Sequence, residues 1–261
     1  MPRPVRFLVP SVLLVLLLAC GAGGAVADEY VALGDSYSSG TGTRRYVDRP
    51  CRRSTAAYPV LVAAGRPGTT LRFVACSGAT IPDVERDQLG ALTPATGLVT
   101  LTIGGNDAGF TRVIARCALP MWAARCAPPV DRARRFIART LPGRLDGLLR
   151  EIGRRAPAAR VIVLGYPGLF NGIDCGPATF FSRDDQRRLN RTAELLRDTL
   201  RARAAAHGAL FGDVMPAFRG HAVCDDVEWL NGLSHPLRES FHPNAAGHAE
   251  GYAPLVRALA G

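Results

Sequence analysis

Apolar residues in this chain collect into short, nearly continuous runs, and longer stretches of helical periodicity lie between them. The runs at 30–33, 71–76, 98–103, 160–164 and 209–214 read as strands. Strands that are apolar on both faces belong to a parallel sheet covered on each side. Between them, 55–64, 82–92, 131–155, 182–207 and 244–259 read as helices. Pro59 belongs near the start of the first helix, Pro142-Gly143 marks a break in the third, and Ser182 and Asn244 stand as N-caps. In the fourth, Leu189, Ala193, Leu196 and Leu200 recur at three- and four-residue steps. This alternation predicts an α/β fold, a three-layer α/β/α sandwich around a mostly five-stranded parallel sheet. Such sheets bind ligands beyond the carboxyl ends of their strands. Ser36, the Cys76-Ser77-Gly78 turn, Asn106 and the Tyr166-Pro167 turn all fall there.

The first residues follow another pattern. Arg3 and Arg6 precede an apolar run at 7–19, and small residues then lead to Ala25-Val26-Ala27 before Asp28. A basic end, a short apolar core and an A-x-A site predict a secretory signal peptide over 1–27, with a single domain over 28–261. The apolar run is short for a membrane span, and no later segment is long and apolar enough to be one. Leu17-Leu18-Ala19-Cys20 resembles a lipoprotein signal, but Leu18 fits it poorly, so anchorage through Cys20 ranks below release.

Composition narrows the classes further. The 261 residues carry a net charge of +10, and with no lysine present all 32 cationic residues are arginine. Arg132, Arg134, Arg135 and Arg139 are spread through a helical pattern as a solvated face would be, and no zinc-finger or RNA-recognition pattern occurs, so nucleic acid is not an expected partner. Behind the signal region stand Cys51, Cys76, Cys117, Cys126, Cys175 and Cys224, an even set that predicts three disulfides in an oxidising compartment. Many pairings are open to six cysteines. Sequential pairing is simplest, because each bridge then closes one loop between neighbouring elements. With no C-x-x-C pair and no H-E-x-x-H helix, neither a metal site nor a cofactor is expected.

Serine chemistry requires an exposed hydroxyl, a base, an orienter for that base and donors for an oxyanion. Ser36 follows a strand within Gly34-Asp35-Ser36-Tyr37-Ser38-Ser39-Gly40, which is not the G-x-S-x-G elbow. Gly104-Gly105-Asn106-Asp107 ends a middle strand, and Phe241-His242-Pro243-Asn244 lies near the C-terminus. In order and position these blocks resemble those of the GDSL (SGNH) hydrolases, whose fold is flavodoxin-like. The resemblance implies Ser36 as nucleophile, His242 as base, and Ser36, Gly78 and Asn106 as the oxyanion hole. The cysteines resemble those of the secreted, disulfide-bonded bacterial lipase and esterase branch, which implies sequential pairing.

The chain departs from the family at the third catalytic position, where Glu239 stands in place of Asp three residues before the histidine. Glu239 is therefore the candidate orienter, with a backbone carbonyl as the alternative. Asp35 and Asp107 are read as local turn-shaping residues. The expected activity is hydrolysis of carboxylic esters, of lipids, phospholipids or short acyl groups, through an acyl-enzyme by a secreted monomer. The segment 109–129, with Phe110, Met121 and Trp122, is a candidate acyl groove. A polysaccharide O-acetyl esterase is the second reading. A non-catalytic carbohydrate-binding protein ranks below both, because a binder has no need of Ser36, Asn106 and His242 together.

Overall fold

The computed structural model describes Met1 and residues 29–119, 125–173 and 181–261. Apart from Met1, the expected signal segment 1–27, and with it Cys20, lies outside the described residues, as do Met121, Trp122 and Cys175.

Five parallel strands form the central sheet: β1 (Glu29–Gly34), β2 (Thr70–Phe73), β3 (Thr96–Thr102), β4 (Arg160–Leu164) and β5 (Leu210–Gly212). Their spatial order is β2-β1-β3-β4-β5. Strand order reverses beside β1, so the loops after β1 and β3 open at a topological switch point. β2 is shorter than its apolar run, but the chain continues to bond along β1. The amides of Val74 and Ala75 donate to the carbonyl of Ala32, and that of Cys76 to Gly34.

The covering helices are α1 (Ser36–Ser39), α2 (Tyr58–Ala64), α3 (Phe110–Cys117), α4 (Ala127–Arg139), α5 (Leu141–Arg155), α6 (Arg183–Ala206) and α7 (Ala253–Ala260). No expected segment covers α1 or α3, and the others agree with the expected segments except at their ends. The stretch expected over 131–155 divides at Thr140, so that Pro142 sits in the first turn of α5, where its missing N–H costs nothing. α2 likewise begins only at Tyr58, with Pro59 in its first turn; the residues before it pair in a small hairpin between Tyr46–Asp48 and Arg53–Ser54. Two of the expected helices widen into π-turns, at Val84–Gln88 and at Gly247–Tyr252.

The first π-turn has a structural purpose. It directs the buried Gln88 amide back at the end of β1, where Oε1 accepts from the Gly34 N–H (2.7 Å) and Nε2 donates to the Gly34 carbonyl (2.9 Å). One side chain thereby satisfies both backbone groups of the residue that precedes the Asp35-Ser36 turn. Two disulfides, Cys51–Cys76 and Cys117–Cys126, join neighbouring elements as sequential pairing implies. Cys224 is disulfide-bonded as well. No helix among the described residues is long and apolar enough to cross a membrane.

Gln88→Leu should strand the buried Gly34 N–H and leave the Gly34 carbonyl to the Cys76 N–H alone, without opening a large cavity. The expected cost is about 2 kcal/mol or more, read in thermal unfolding as a fall of roughly 5 °C in Tm. An unchanged Tm would show that water replaces the amide.

Candidate active site

β1 ends in a turn that only glycine can make. Gly34 has φ +118, and a Cβ there would lie 2.3 Å from the Thr102 carbonyl oxygen at the end of β3. The turn then passes to Asp35, which caps α1: its carboxylate accepts from the Tyr37 N–H (3.0 Å), the Thr102 hydroxyl (2.8 Å) and the Tyr166 hydroxyl (2.5 Å). Ser36 is the first residue of α1, so its N–H lacks an intrahelical partner.

His242 arrives from the far end of the chain. Its Nε2 lies 2.8 Å from Ser36 Oγ, and its Nδ1 lies 3.0 Å from the Ser240 carbonyl. That carbonyl can only accept, so Nδ1 carries the proton and Nε2 presents a lone pair to the serine hydroxyl. The loop holding the ring is fixed on both sides. Phe241 has φ +60, a conformation that costs a bulky residue on the order of 1–3 kcal/mol. Three contacts offset that cost: the Tyr37 hydroxyl donates to the Phe241 carbonyl (2.6 Å), the Phe241 N–H donates to Asn231 O, and the Phe241 ring packs on Phe170 and Phe181.

Glu239 is not beside the imidazole. Its buried carboxylate accepts from Arg44 Nε and from the Tyr46 hydroxyl, each at 2.9 Å, while the carbonyl of the next residue occupies Nδ1. Of the two orienters left open by the sequence, the geometry presents the backbone carbonyl. Asn106 lines the same cavity as Ser36 and His242, and its amide donates to Ala79 O (3.0 Å), leaving one N–H free. Asp107 accepts from the Ile81 N–H, so the turns after β2 and β3 are laced together. Gly78 lies in the first of these at φ +90. It does not line the cavity itself, but its N–H makes no bond among the described residues. Other histidines are engaged elsewhere: His207 with Asp146, His221 stacked on Trp229, and His248 accepting from the Tyr58 N–H.

The sequence profile of the GDSL-like Lipase/Acylhydrolase family matches residues 32–250. The chain belongs to this family. Lipase 1 of Streptomyces coelicolor is 41% identical over 270 residues, covering 98% of this chain and 99% of that relative. The crystal structure of an extracellular lipase from Streptomyces rimosus is 42% identical with a TM-score of 0.84, over 89% of this chain and 100% of that one. A phospholipase A1 structure from Streptomyces albidoflavus is 43% identical with the same TM-score, over 89% and 99%. The chain is a carboxylic-ester hydrolase of the GDSL type, and its sheet and helices are those of the GDSL fold.

Within this GDSL hydrolase the site is electrostatically dry. Burial pushes His242 down to about 4, and the Ser240 carbonyl offsets this only in part. Burial also raises Asp35 to about 6, against the hydrogen bonds from Tyr166, Thr102 and the Tyr37 N–H that hold it down. Beside the Ser36–His242 pair opens a cavity of about 490 Å³. Phe110 and Ile114 of α3, Ala133 and Ile137 of α4, and Ala193 and Leu196 of α6 line its inner walls. The helix α3 forms within 109–129, the segment whose residues the sequence offers as a candidate groove. Among the described residues, no group of three or more His, Cys, Asp or Glu stands where it could hold a metal.

Two measurements follow from this geometry. Because the pKa of His242 lies below its ordinary value, the neutral ring persists into acid, and activity is lost only as pH falls through the lowered value. The acid limb of kcat/KM is expected near pH 4; a limb near 6.5 would mean a solvated ring. Glu239→Gln, assayed by steady-state kinetics, should lower kcat by less than about tenfold, whereas a larger loss would return the carboxylate to the orienting role.

Proposed function

We propose that this protein is a secreted, monomeric lipid esterase working through an acyl-enzyme on Ser36, with His242 as general base. The observation that carries the reading is the 2.8 Å contact between Ser36 Oγ and His242 Nε2 at the mouth of an apolar cavity. Ser36 Oγ attacks the ester carbonyl as its proton passes to Nε2. The Ser240 carbonyl, accepting from Nδ1–H, stabilises the imidazolium that forms. Negative charge on the carbonyl oxygen is met by the Ser36 and Gly78 N–H groups and the free Asn106 amide N–H. The tetrahedral adduct collapses as His242 returns the proton to the departing alcohol. Water, deprotonated by the same ring, then attacks the acyl-serine, and the acid leaves with Ser36 protonated.

The cavity supports an acyl chain in preference to acetate. Its inner wall is built from alkyl and aromatic side chains of three helices, a surface that binds methylenes by removing them from water at about 0.8 kcal/mol each. A polysaccharide O-acetyl esterase would leave that volume unused. Export is supported by the basic, apolar and small-residue pattern over 1–27 and by the disulfides, and residues 28–261 then form the single catalytic domain.

A p-nitrophenyl ester series from acetate to palmitate tests both parts. Hydrolysis should reach its highest kcat/KM at chains longer than acetate, and Ser36→Ala should reduce kcat at least about a thousandfold. An acetate optimum would favour the deacetylase reading, and activity that survives in Ser36→Ala would exclude the serine mechanism.

A further inference from the structure

Two cations that the proposed ester cleavage does not use stand near the site, Arg52 beside the turn that bears Gly78 and Arg238 in the lining of the cavity. Arg52 follows Cys51, whose disulfide to Cys76 ties the hairpin loop to the turn that bears Gly78. The Ser77 N–H donates to the Cys51 carbonyl (3.0 Å), and Arg52 Nη1 donates to Ser77 Oγ (3.0 Å), which also takes the Thr41 hydroxyl (3.0 Å). Arg52 itself sits at φ +52, a left-handed conformation that a side chain adopts only at a cost. A covalent bridge, a strained residue and a set of hydrogen bonds thus hold one guanidinium against the oxyanion turn, with most of its donors unspent.

A second guanidinium, that of Arg238, lines the cavity four residues before His242 and bonds to no acceptor among the described residues. The segment that bears Arg238 is bonded to the hairpin segment that bears Arg52, because Arg44 Nε and the Tyr46 hydroxyl both donate to the carboxylate of Glu239, the residue after Arg238; burial and then the charge of Arg238 push the Arg52 pKa down. Glu239 also acts on Arg52, but its carboxylate is already held by Arg44 and Tyr46. Asp48, the acid on the same hairpin, pairs with Arg53. Like charges gathered at a half-buried entrance weaken the folded protein unless an anion comes between them. The guanidinium fork matches the oxygens of phosphate. Leu233 (44% exposed) and Leu237 (69% exposed) line the same cavity, so the cations stand beside apolar surface suited to lipid.

We propose that Arg52 and Arg238 form a phosphate subsite at the mouth of the cavity, which receives the headgroup phosphate of a glycerophospholipid while its acyl chain enters the cavity and its ester carbonyl meets Ser36. The proposal rests on the lipid-esterase reading above, and it places the discrimination between charged and uncharged lipids in two named side chains.

Binding separates the two readings, because it does not require turnover. The Ser36→Ala protein, titrated calorimetrically with monomeric dihexanoylphosphatidylglycerol and with uncharged dihexanoylglycerol, should bind the phosphate-bearing lipid about tenfold or more tightly. Adding Arg52→Gln or Arg238→Gln should erase that preference. Arg238 is exposed, so the second variant remains informative if the first fails to fold. Equal affinity for the two lipids, or a preference that survives both substitutions, overturns the subsite. Inorganic phosphate binding as tightly as the phospholipid would make this a site for the free anion and overturn the lipid assignment. In the wild-type enzyme the ratio of kcat/KM for the phospholipid to that for the uncharged lipid should fall by a similar factor in each variant. Failure of the wild type to cleave any ester would instead strike the esterase reading, leaving the binding result to stand.

Discussion

The site depends on one hydrogen bond, between Ser36 Oγ and His242 Nε2, made by residues 206 positions apart. A contact of that separation holds its geometry only if each end is fixed independently of the other. At the serine end, the close approach of Gly34 to Thr102, the Gln88 strut and the three donors on Asp35 leave the turn one conformation. At the histidine end, the Ser240 carbonyl sets the tautomer and Phe241 is held in a left-handed conformation. Tyr37 then joins the ends. It follows Ser36, and its hydroxyl donates to the carbonyl of Phe241, the residue before His242. A second bond therefore runs parallel to the first, one residue away on each side, and opposes any slip of one loop past the other.

The sheet was legible in the sequence because a parallel strand buried on both faces must be apolar throughout. All five runs became neighbouring strands. The helices were legible in place but not in end or winding. Nothing in 82–92 announces the π-turn that turns Gln88 inward, because its cause is a backbone partner at the end of β1. α3 has amphipathic spacing but is only eight residues long and begins after a left-handed Gly109, so period alone gave it little signal.

The site divides in the same way. Ser36, Asn106 and His242 could be read because the roles proposed for them belong to their side chains. The Ser240 carbonyl could not, since every residue carries one and sequence does not reveal where it points. Glu239 is the converse case: its spacing from His242 made it one of two candidate orienters, but Arg44, 195 positions away, and Tyr46 hold its carboxylate. Local spacing places a residue near a site; only tertiary partners decide where its side chain is used.

Having a carbonyl rather than a carboxylate at Nδ1 has a consequence for the chemistry. A full negative charge beside the ring would hold the histidine pKa up and stabilise the imidazolium strongly, whereas a carbonyl dipole does less, so burial wins and His242 falls to about 4. In the proposed mechanism the ring is thus a base that stays available in acid but gains little on accepting a proton. Stabilisation missing on the cationic side of the transition state must come from the anionic side. In the proposed mechanism that side is well supplied: the Ser36 and Gly78 amides make no bond among the described residues, and the Asn106 amide is held in place by Ala79. In that mechanism the lacing of the turns after β2 and β3 by Asn106 and Asp107 serves catalysis, because donors that must carry more of the charge cannot be allowed to move.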